Sequence, residues 1–212
     1  MFLLRYSIFS VFFQKTPRTY SVMDIYLIRH TTLDVPAGTC YGQSDVPLAT
    51  TFAEEAATLQ AKLPARWDQV YCSPLSRCRR LAAQLHDQPV QDVRLQELNF
   101  GDWEGCLWND IDPTVIGPWM NDFVHVACPQ GESYRQLYER VTAFWQEATN
   151  KAPESTMDKR IAIVTHAGPI RALLSHVLTL PLEHSFRLKI SHGSISLVRI
   201  ENQYATIQFI NT

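Results

Sequence analysis

The stretch DIYLIRHTT (residues 24–32) joins a run of apolar residues to an arginine and a histidine and then turns. The continuous apolar run at residues 25–28 predicts a strand that is buried on both faces, as strands of a parallel sheet are. In open sheets of this kind, ligands bind beyond the carboxyl ends of the strands. Arg29 and His30 follow that end directly. They are therefore candidates for binding an anion, although polar residues also end strands at an ordinary surface.

Two later segments repeat this pattern of an apolar strand followed by polar, reactive residues. DQVYC (residues 68–72) is followed by Ser73, with Arg77 about one helical turn later, and RIAIVT (residues 160–165) is followed by His166. Parallel strands end at the same edge of a sheet, so we expect the three endings to lie together. An arginine in the first turn of a helix opposes the helix dipole unless an anion binds there. Arg77 is therefore a candidate anion ligand as well.

The remaining predicted elements alternate between helix and strand. The helices are expected to begin near residues 50, 74, 133 and 170, and two further strands cover residues 194–199 and 204–210. Ser73 before Pro74 predicts the cap of the second helix, and Ser133 with Gln136 predicts a capping box for the third. This alternation predicts an α/β fold with three layers, in which helices cover both faces of a mainly parallel central sheet.

The chain is predicted to be one domain with an N-terminal extension, because 212 residues suffice for a single buried core. The apolar part of residues 1–22 is shorter than the run of about 20 residues that spans a bilayer. It also lacks the full pattern of a signal peptide, so we interpret it as a start-site extension rather than a signal or membrane-surface segment. The domain itself is predicted to cover residues 23–212.

A small cap insertion is predicted at about residues 102–131, which are rich in tryptophan, glycine and proline and show little periodicity. Its large aromatic residues have two open interpretations. They pack as the core of the cap, or they form a platform for a ring-bearing substrate. The residues concerned are Trp103, Trp108, Trp119 and Phe123.

The composition narrows the classes of partner. The formal net charge is −2, with 19 Lys and Arg against 21 Asp and Glu, so nucleic acid is not an expected partner. The five cysteines are scattered without a Cys-x-x-Cys pair, which argues against a disulfide framework or a zinc site and favours the cytoplasm. The seven histidines show no metal-binding spacing. We therefore expect no metal, no cofactor and no membrane partner.

Phosphate is the anion that best fits two arginines and two histidines at one edge of a sheet. The planar guanidinium group matches the oxygens of phosphate, and a histidine can attack phosphorus directly. A carboxylate ligand would need only one arginine and no paired histidines. The sequence also has no Gly-x-x-x-x-Gly-Lys loop and no aspartate cluster for Mg²⁺, so the usual nucleotide-binding routes to a phosphate site are not expected.

Four ordered motifs resemble those of the histidine phosphatase superfamily, the phosphoglycerate-mutase-like enzymes. The motifs are LIRHT (residues 27–31), SPLSR (73–77), LQELNFGDWEG (95–105) and VTHAG (164–168). More narrowly, the RHT sequence followed by CYGQSDVPL (residues 40–48) resembles the alpha-ribazole phosphatases of cobalamin synthesis. Two features depart from the wider family: Thr31 stands where most members have glycine, and Val35-Pro36 stand where many carry an asparagine. Both departures argue against the mutase branch.

The resemblance implies a role for each matching residue. His30 corresponds to the nucleophile that becomes phosphohistidine, and Glu97 corresponds to the proton donor. The rest of the phosphate pocket corresponds to Arg29, Arg77 and His166. Three further residues fall where loops of the family approach the substrate, namely Gly42, Gln43 and Gly168. The remaining histidines are expected to be structural: His86, His125, His176, His184 and His192.

The predicted function is therefore that of a metal-independent phosphomonoesterase acting on a small substrate, with alpha-ribazole 5′-phosphate as the first choice. For His30 to attack, its other ring nitrogen should donate a hydrogen bond to a backbone carbonyl. The alternatives are a broad-specificity sugar or nucleotide phosphatase, a phosphoglycerate mutase, and a protein that only binds a phosphorylated ligand. The last would predict loss of His30, Glu97 or His166, and all three are present. A homodimer is one option for assembly.

Overall fold

One sheet of six strands, with helices against both of its faces, makes up the part of the chain that the computed structural model describes, residues 21–150 and 158–212. The predicted N-terminal extension lies, up to residue 20, outside the described residues. The strands are β1 (Val22–Arg29), β2 (Gln69–Cys72), β3 (Val90–Gln91), β4 (Lys159–Thr165), β5 (Ile195–Glu201) and β6 (Tyr204–Phe209). The helices are α1 (Phe52–Lys62), α2 (Ser76–Ala82), α3 (Pro113–Asn121), α4 (Tyr134–Asn150) and α5 (Ala167–Leu178).

The strand order is β3–β2–β4–β1–β5–β6. The first four strands in this order are parallel, whereas β5 runs antiparallel to β1 and β6 runs antiparallel to β5. The predicted α/β fold with a mainly parallel sheet is therefore confirmed. Within the same residues, no helix combines the length and the apolar character needed to cross a membrane.

The two faces of the sheet belong to two hydrophobic cores. Ile25 and Leu27 of β1 point into the larger core, which α4 and α5 cover. Ile28, on the opposite face of the same strand, points into the smaller core beneath α1 and α2. Side chains alternate between faces along a strand, so a continuous apolar run such as residues 25–28 stabilises both layers at once.

The carboxyl ends of β1, β4 and β2 lie side by side, as the sequence pattern predicted. Arg29 is paired with Thr165 in the register of β1 and β4. The next residue, His30, donates its backbone N–H to the Thr165 carbonyl at 3.1 Å, and the Ser73 N–H donates to the Val164 carbonyl at 3.0 Å. These ladder bonds carry the polar residues of all three strand ends to one edge of the sheet.

The helix caps follow the sequence in one case and depart from it in another. The predicted capping box is confirmed, because the Ser133 N–H donates to Gln136 Oε1 at 2.8 Å and the Gln136 N–H donates to Ser133 Oγ at 3.3 Å. The predicted cap at Ser73 is wrong, since α2 begins only at Ser76. The backbone N–H and hydroxyl of Ser76 instead donate to Asp45 Oδ1. A distant loop thus supplies the acceptor that local sequence was expected to provide.

The predicted cap insertion contains α3, which the sequence pattern did not reveal. Trp103 and Trp119 are 4% and 8% exposed and belong to the larger core. The rings of Trp108 and Trp119 stack with their centroids 5.9 Å apart. Of the two interpretations left open for these tryptophans, the packing favours core. Phe123 extends from this group toward Phe186, with centroids 4.9 Å apart.

Candidate active site

Two histidines at the ends of β1 and β4 form the centre of the site. The rings of His30 and His166 lie edge to face, with their centroids 5.1 Å apart. Both side chains are almost completely buried. The predicted pairing of the two strand endings therefore brings two imidazoles into direct contact. The helix α5 begins at the residue after His166, so its N-terminal N–H groups lie at the same place.

His30 is held in one tautomer. Its Nδ1 lies 2.8 Å from the carbonyl oxygen of Thr31. Because a carbonyl can only accept, Nδ1 carries the proton and Nε2 keeps a free lone pair. Burial, followed by the cations of Arg77 and Arg29, holds the pKa of His30 well below its ordinary value of 6.5. The ring is therefore neutral at physiological pH, as a nucleophile must be.

His166 is held in the opposite tautomer. Arg77 Nε donates to His166 Nδ1 at 3.2 Å, so the proton is on Nε2, which lies 2.9 Å from the hydroxyl oxygen of Ser73. Burial and then the neighbouring His30 hold the pKa of His166 well below 6.5. His166 is thus neutral in this arrangement. A phosphate dianion bound beside it would favour the protonated form and raise its pKa.

A loop after β1 holds the guanidinium group of Arg77, which is completely buried. Its Nη1 donates to the Ser44 carbonyl at 2.8 Å, and its Nη2 donates to the Gly42 carbonyl at 2.6 Å. Gly42 has φ +31°, and a Cβ there would lie 2.2 Å from Glu104 Oε1. No larger residue fits without moving this contact. Gly42 therefore serves the site by keeping the loop close to Arg77.

Glu104 fixes the same loop from the other side, a contact that the sequence reasoning missed. Its carboxylate accepts the backbone N–H groups of Gln43 at 2.8 Å and Ser44 at 2.6 Å, and it also accepts the Ser44 hydroxyl. The Phe100 N–H donates to it at 3.1 Å. Its place in the DWEG part of the third motif was the only available signal. Glu104 positions the loop that in turn positions Arg77.

Glu97 is oriented by two backbone groups. Its Oε1 accepts the Leu98 N–H at 3.0 Å and the Gly168 N–H at 3.1 Å. A Cβ on Gly168 would collide with that oxygen, so a larger residue there would displace the Glu97 carboxylate. The side chain of Gln43 donates to the Glu97 carbonyl at 3.0 Å. Gly168 and Gln43, which the sequence suggested as substrate contacts, thus both bind the predicted proton donor.

Arg29 is held by the segment that precedes β5. Its Nη1 donates to the Ile190 carbonyl at 2.7 Å, and its Nη2 donates to Nε2 of His192 at 2.8 Å. The Arg29 Nε is buried and has no hydrogen-bond partner in the described part of the chain, so its N–H lacks an acceptor there. Together with Arg77, this guanidinium supplies the positive charge that the sequence predicted at this edge.

The structure places His192, which the sequence analysis expected to be structural, against both Arg29 and His30. Its ring centroid lies 5.3 Å from that of His30. Because Arg29 can only donate, His192 Nε2 must accept, which requires a neutral ring. Partial burial and then the Arg29 cation lower the pKa of His192 to about 4, although one side of the residue remains exposed to solvent. No motif marked this residue. The signal was its position just before a strand that returns antiparallel to β1.

The candidate site is separate from one large open cavity of the molecule. A cavity of about 650 Å³ lies at the other end of the sheet and is lined by residues such as Val22, Met23 and Lys159. None of the predicted site residues lines it. Among the residues that the structure describes, no group of three or more His, Cys, Asp or Glu side chains is arranged to hold a metal ion.

The chain combines an α/β fold with two histidines and two arginines at the carboxyl ends of its parallel strands. This combination is the one expected of the phosphate-handling class of proteins that the four sequence motifs indicated. A family profile described as the histidine phosphatase superfamily (branch 1) matches residues 25–212. The chain therefore belongs to the histidine phosphatase superfamily.

Several known proteins resemble the chain over most of its length. The adenosylcobalamin/alpha-ribazole phosphatase of Escherichia coli is 28% identical over 199 residues, which cover 90% of this chain and 96% of the relative. A glucosyl-3-phosphoglycerate phosphatase of Mycolicibacterium vanbaalenii is 29% identical and covers 77% of each chain. The crystal structure of the alpha-ribazole phosphatase from Shigella flexneri superposes with a TM-score of 0.80 at 27% identity and covers 90% of this chain and 96% of the other. These relatives are phosphatases, which supports hydrolase activity here.

Proposed function

We propose that the protein is a phosphomonoesterase that works through a phosphohistidine at His30 and hydrolyses alpha-ribazole 5′-phosphate. The observation that carries the chemical part is the hydrogen bond from His30 Nδ1 to the Thr31 carbonyl at 2.8 Å. It leaves Nε2 neutral and free to attack, beside two guanidinium groups and a second imidazole. A protein that only bound a phosphorylated ligand would not need a nucleophile prepared in this way.

In the first half-reaction, the lone pair of His30 Nε2 forms a bond to phosphorus while the bond to the leaving oxygen breaks. Negative charge develops on the equatorial phosphoryl oxygens, where Arg29 and Arg77 donate hydrogen bonds. His166 becomes a third donor once the bound phosphate raises its pKa and favours its protonated form. Glu97 acts as the general acid in this step and gives a proton to the leaving alkoxide. The products are phosphohistidine, a free alcohol and an ionised Glu97.

In the second half-reaction, water attacks the phosphorus and the bond to His30 Nε2 breaks. Glu97 takes the proton from that water, so the side chain that served as the acid now serves as the base. Inorganic phosphate leaves, and both His30 and Glu97 return to their starting states. Arginine and histidine neutralise the charge throughout, so the scheme needs no metal ion or cofactor.

The choice of substrate rests on similarity. Residues 40–48 resemble those of the alpha-ribazole phosphatases, and proteins of that name match nearly the full length of the chain. A glucosyl-3-phosphoglycerate phosphatase matches at comparable identity, so sugar phosphates are the alternative substrates. The experiment that decides is turnover of a metabolite panel containing alpha-ribazole 5′-phosphate, sugar phosphates, nucleotides and phosphoglycerates. A clear preference for another phosphomonoester would replace the substrate and leave the chemistry in place.

Substitution of His30 by alanine tests the covalent step. We expect turnover to be abolished while the fold is retained, because the change removes the nucleophile and little packing. Wild-type enzyme mixed with ³²P-labelled substrate and quenched in alkali, which preserves the P–N bond, should carry label that the variant lacks. Label on serine or cysteine, or full activity in the variant, would contradict the mechanism.

Chelation tests the independence from metal ions. We expect activity to survive dialysis against EDTA and to gain nothing from added Mg²⁺ or Zn²⁺, because guanidinium groups take the role that a metal would have. Steady-state rates before and after dialysis provide the measurement. Complete loss that one divalent ion restores would refute this part of the proposal.

A further inference from the structure

Three aromatic side chains and one arginine form a partly exposed cluster beside Glu97 that the mechanism leaves unused. We call it the ring patch and define it as Phe123, Tyr134, Arg171 and Phe186. The Phe123 and Phe186 rings meet edge to face at 4.9 Å, and the centroid of Tyr134 lies 6.0 Å from that of Phe186. Phe186 is 53% exposed, whereas Tyr134 is buried. An exposed phenylalanine supported by other rings can receive a further ring.

The ring patch is connected to the proton donor through one residue. The Tyr134 hydroxyl donates to the Gly168 carbonyl at 3.4 Å, and the Gly168 N–H donates to Glu97 Oε1 at 3.1 Å. Glu97 must contact the leaving oxygen in order to protonate it. A leaving group that continues from that oxygen along the side of Gly168 would meet Tyr134 and its neighbour Phe186.

Arg171 gives the ring patch a polar component. Its Nε donates to the Leu188 carbonyl at 2.9 Å, and its Cζ lies 5.0 Å from the centroid of the Phe186 ring. Neither Nη atom has a partner within residues 21–150 and 158–212. The guanidinium group is therefore fixed at one nitrogen, packed against a ring, and able to donate hydrogen bonds from the other two.

We propose that Phe186 and Arg171 bind a planar aromatic ring in the leaving group. The ring would stack on the exposed part of Phe186, and the Nη groups of Arg171 would donate to a ring nitrogen or to a hydroxyl beside it. This subsite rests on the proposed function, since it assumes that Glu97 protonates the leaving oxygen. This subsite takes the role that the sequence left open for Trp108 and Trp119, of which Trp119 lies in the core and Trp108 packs against it.

Two substrates with the same leaving oxygen isolate the contribution of the ring. Alpha-ribazole 5′-phosphate and ribose 5-phosphate both release a ribose 5′-hydroxyl, but only the first carries an aromatic ring. We expect Phe186→Ala to lower kcat/KM for alpha-ribazole 5′-phosphate by about tenfold to hundredfold, the effect of losing one base–aromatic stack. The loss in kcat/KM for ribose 5-phosphate should be at least about tenfold smaller. Phe186→Trp should retain the preference. Leu178→Ala, which removes another exposed apolar side chain at the far end of α5, should leave both values unchanged.

Each remaining outcome counts for or against the subsite. Equal rates on the two substrates in the wild type, or equal losses in Phe186→Ala, would overturn it while the phosphatase function stands. If the wild type hydrolyses neither substrate, the proposed substrate is wrong. Calorimetry then tests the subsite alone: binding of free alpha-ribazole to the wild type but not to Phe186→Ala supports it. A preference for O-phosphoserine that Arg171→Gln abolishes would overturn it in favour of a carboxylate site.

Discussion

The hydrogen bond between Arg29 and His192 allows a test of whether His192 positions Arg29 or only contributes to packing. We expect His192→Ala to lower kcat/KM by about tenfold to hundredfold, because Arg29 loses the acceptor that fixes one end of its guanidinium group. His192→Gln places a carbonyl oxygen within reach of the same nitrogen and should restore most of the loss. Steady-state kinetics of both variants, with thermal unfolding as a check on the fold, provide the measurement.

Inhibition by the product, inorganic phosphate, also distinguishes a positioning role of His192 from a purely structural one. Arg29 is proposed to bind the phosphoryl group in every state, so inorganic phosphate should inhibit His192→Ala more weakly than it inhibits the wild type. A purely structural histidine would change stability and leave the inhibition constant of phosphate unaltered. Equal inhibition of both proteins, or a His192→Gln variant as weak as His192→Ala, would contradict the positioning role.

Single residues were predictable here where they belonged to motifs. Arg29, His30, Arg77 and His166 follow strand ends, so their convergence followed from a parallel sheet alone. Their proton positions were harder to predict, because the tautomer of His166 depends on Arg77 and Ser73, which are remote in sequence. The tautomer of His30 was predictable, since a nucleophilic nitrogen requires the other one to donate.

At the scale of elements, the loop after β1 and the third motif act as one unit through Glu104. We expect Glu104→Gln to lower kcat/KM at least about tenfold, because the amide NH₂ cannot accept the backbone N–H groups that the carboxylate now accepts. The melting temperature should fall by about 2–10 °C, which corresponds to one or two buried hydrogen bonds in a protein of this size.

Asp24 offers a matched control for Glu104. It pairs with Arg199 at 2.7 Å and lies on β1 far from the catalytic edge of the sheet. Asp24→Asn should therefore change the melting temperature without changing kcat/KM. If Glu104→Gln behaved like Asp24→Asn, Glu104 would only stabilise the fold, and its proposed effect on Arg77 would be wrong.

Elements with a clear apolar period were predictable, and those without one were not. The strand β3 has two residues, Val90 and Gln91, and both are exposed, so no burial pattern marks it. The helix α3 contains Gly117 and Pro118, which are typical helix breakers. Only Asp112 as its cap and Pro113 at its first position were local signs of its start. In both cases the tertiary structure stabilises a segment whose local preference is weak.

The stability of the whole molecule should depend on pH because two buried histidines are neutral. The pKa values of His30 and His166 are below 6.5 in the folded protein, so the unfolded chain binds more protons as the pH falls. Stability is therefore full above pH 6.5 and decreases as the pH falls from 6.5 toward the folded-state pKa values. Each group contributes a slope of up to about 1.4 kcal/mol per pH unit in that range.

Urea unfolding in phosphate-free buffer between pH 7.5 and pH 5 measures this slope. His30→Gln should reduce it, because the variant lacks one of the three histidines whose pKa is lowered in the folded protein, namely His30, His166 and His192. Leu178→Ala, a change at an exposed residue that carries no titratable group, should leave the slope unaltered. An identical slope in His30→Gln and the wild type would mean that His30 is protonated in the fold, and it would then be unable to act as the nucleophile.

The antiparallel return of β5 also has a consequence for the order in which the protein becomes functional during synthesis. Because β5 runs opposite to β1, its first residues lie beside the last residues of β1, and the Arg29 N–H donates to the Ser194 carbonyl at 3.0 Å. A nascent chain translated only through α5 has made Arg29, His30, Arg77, Glu97 and His166, but not the Ile190 carbonyl or the His192 ring that hold Arg29. We therefore expect such a ribosome-bound chain to have its nucleophile without a finished binding site for phosphate.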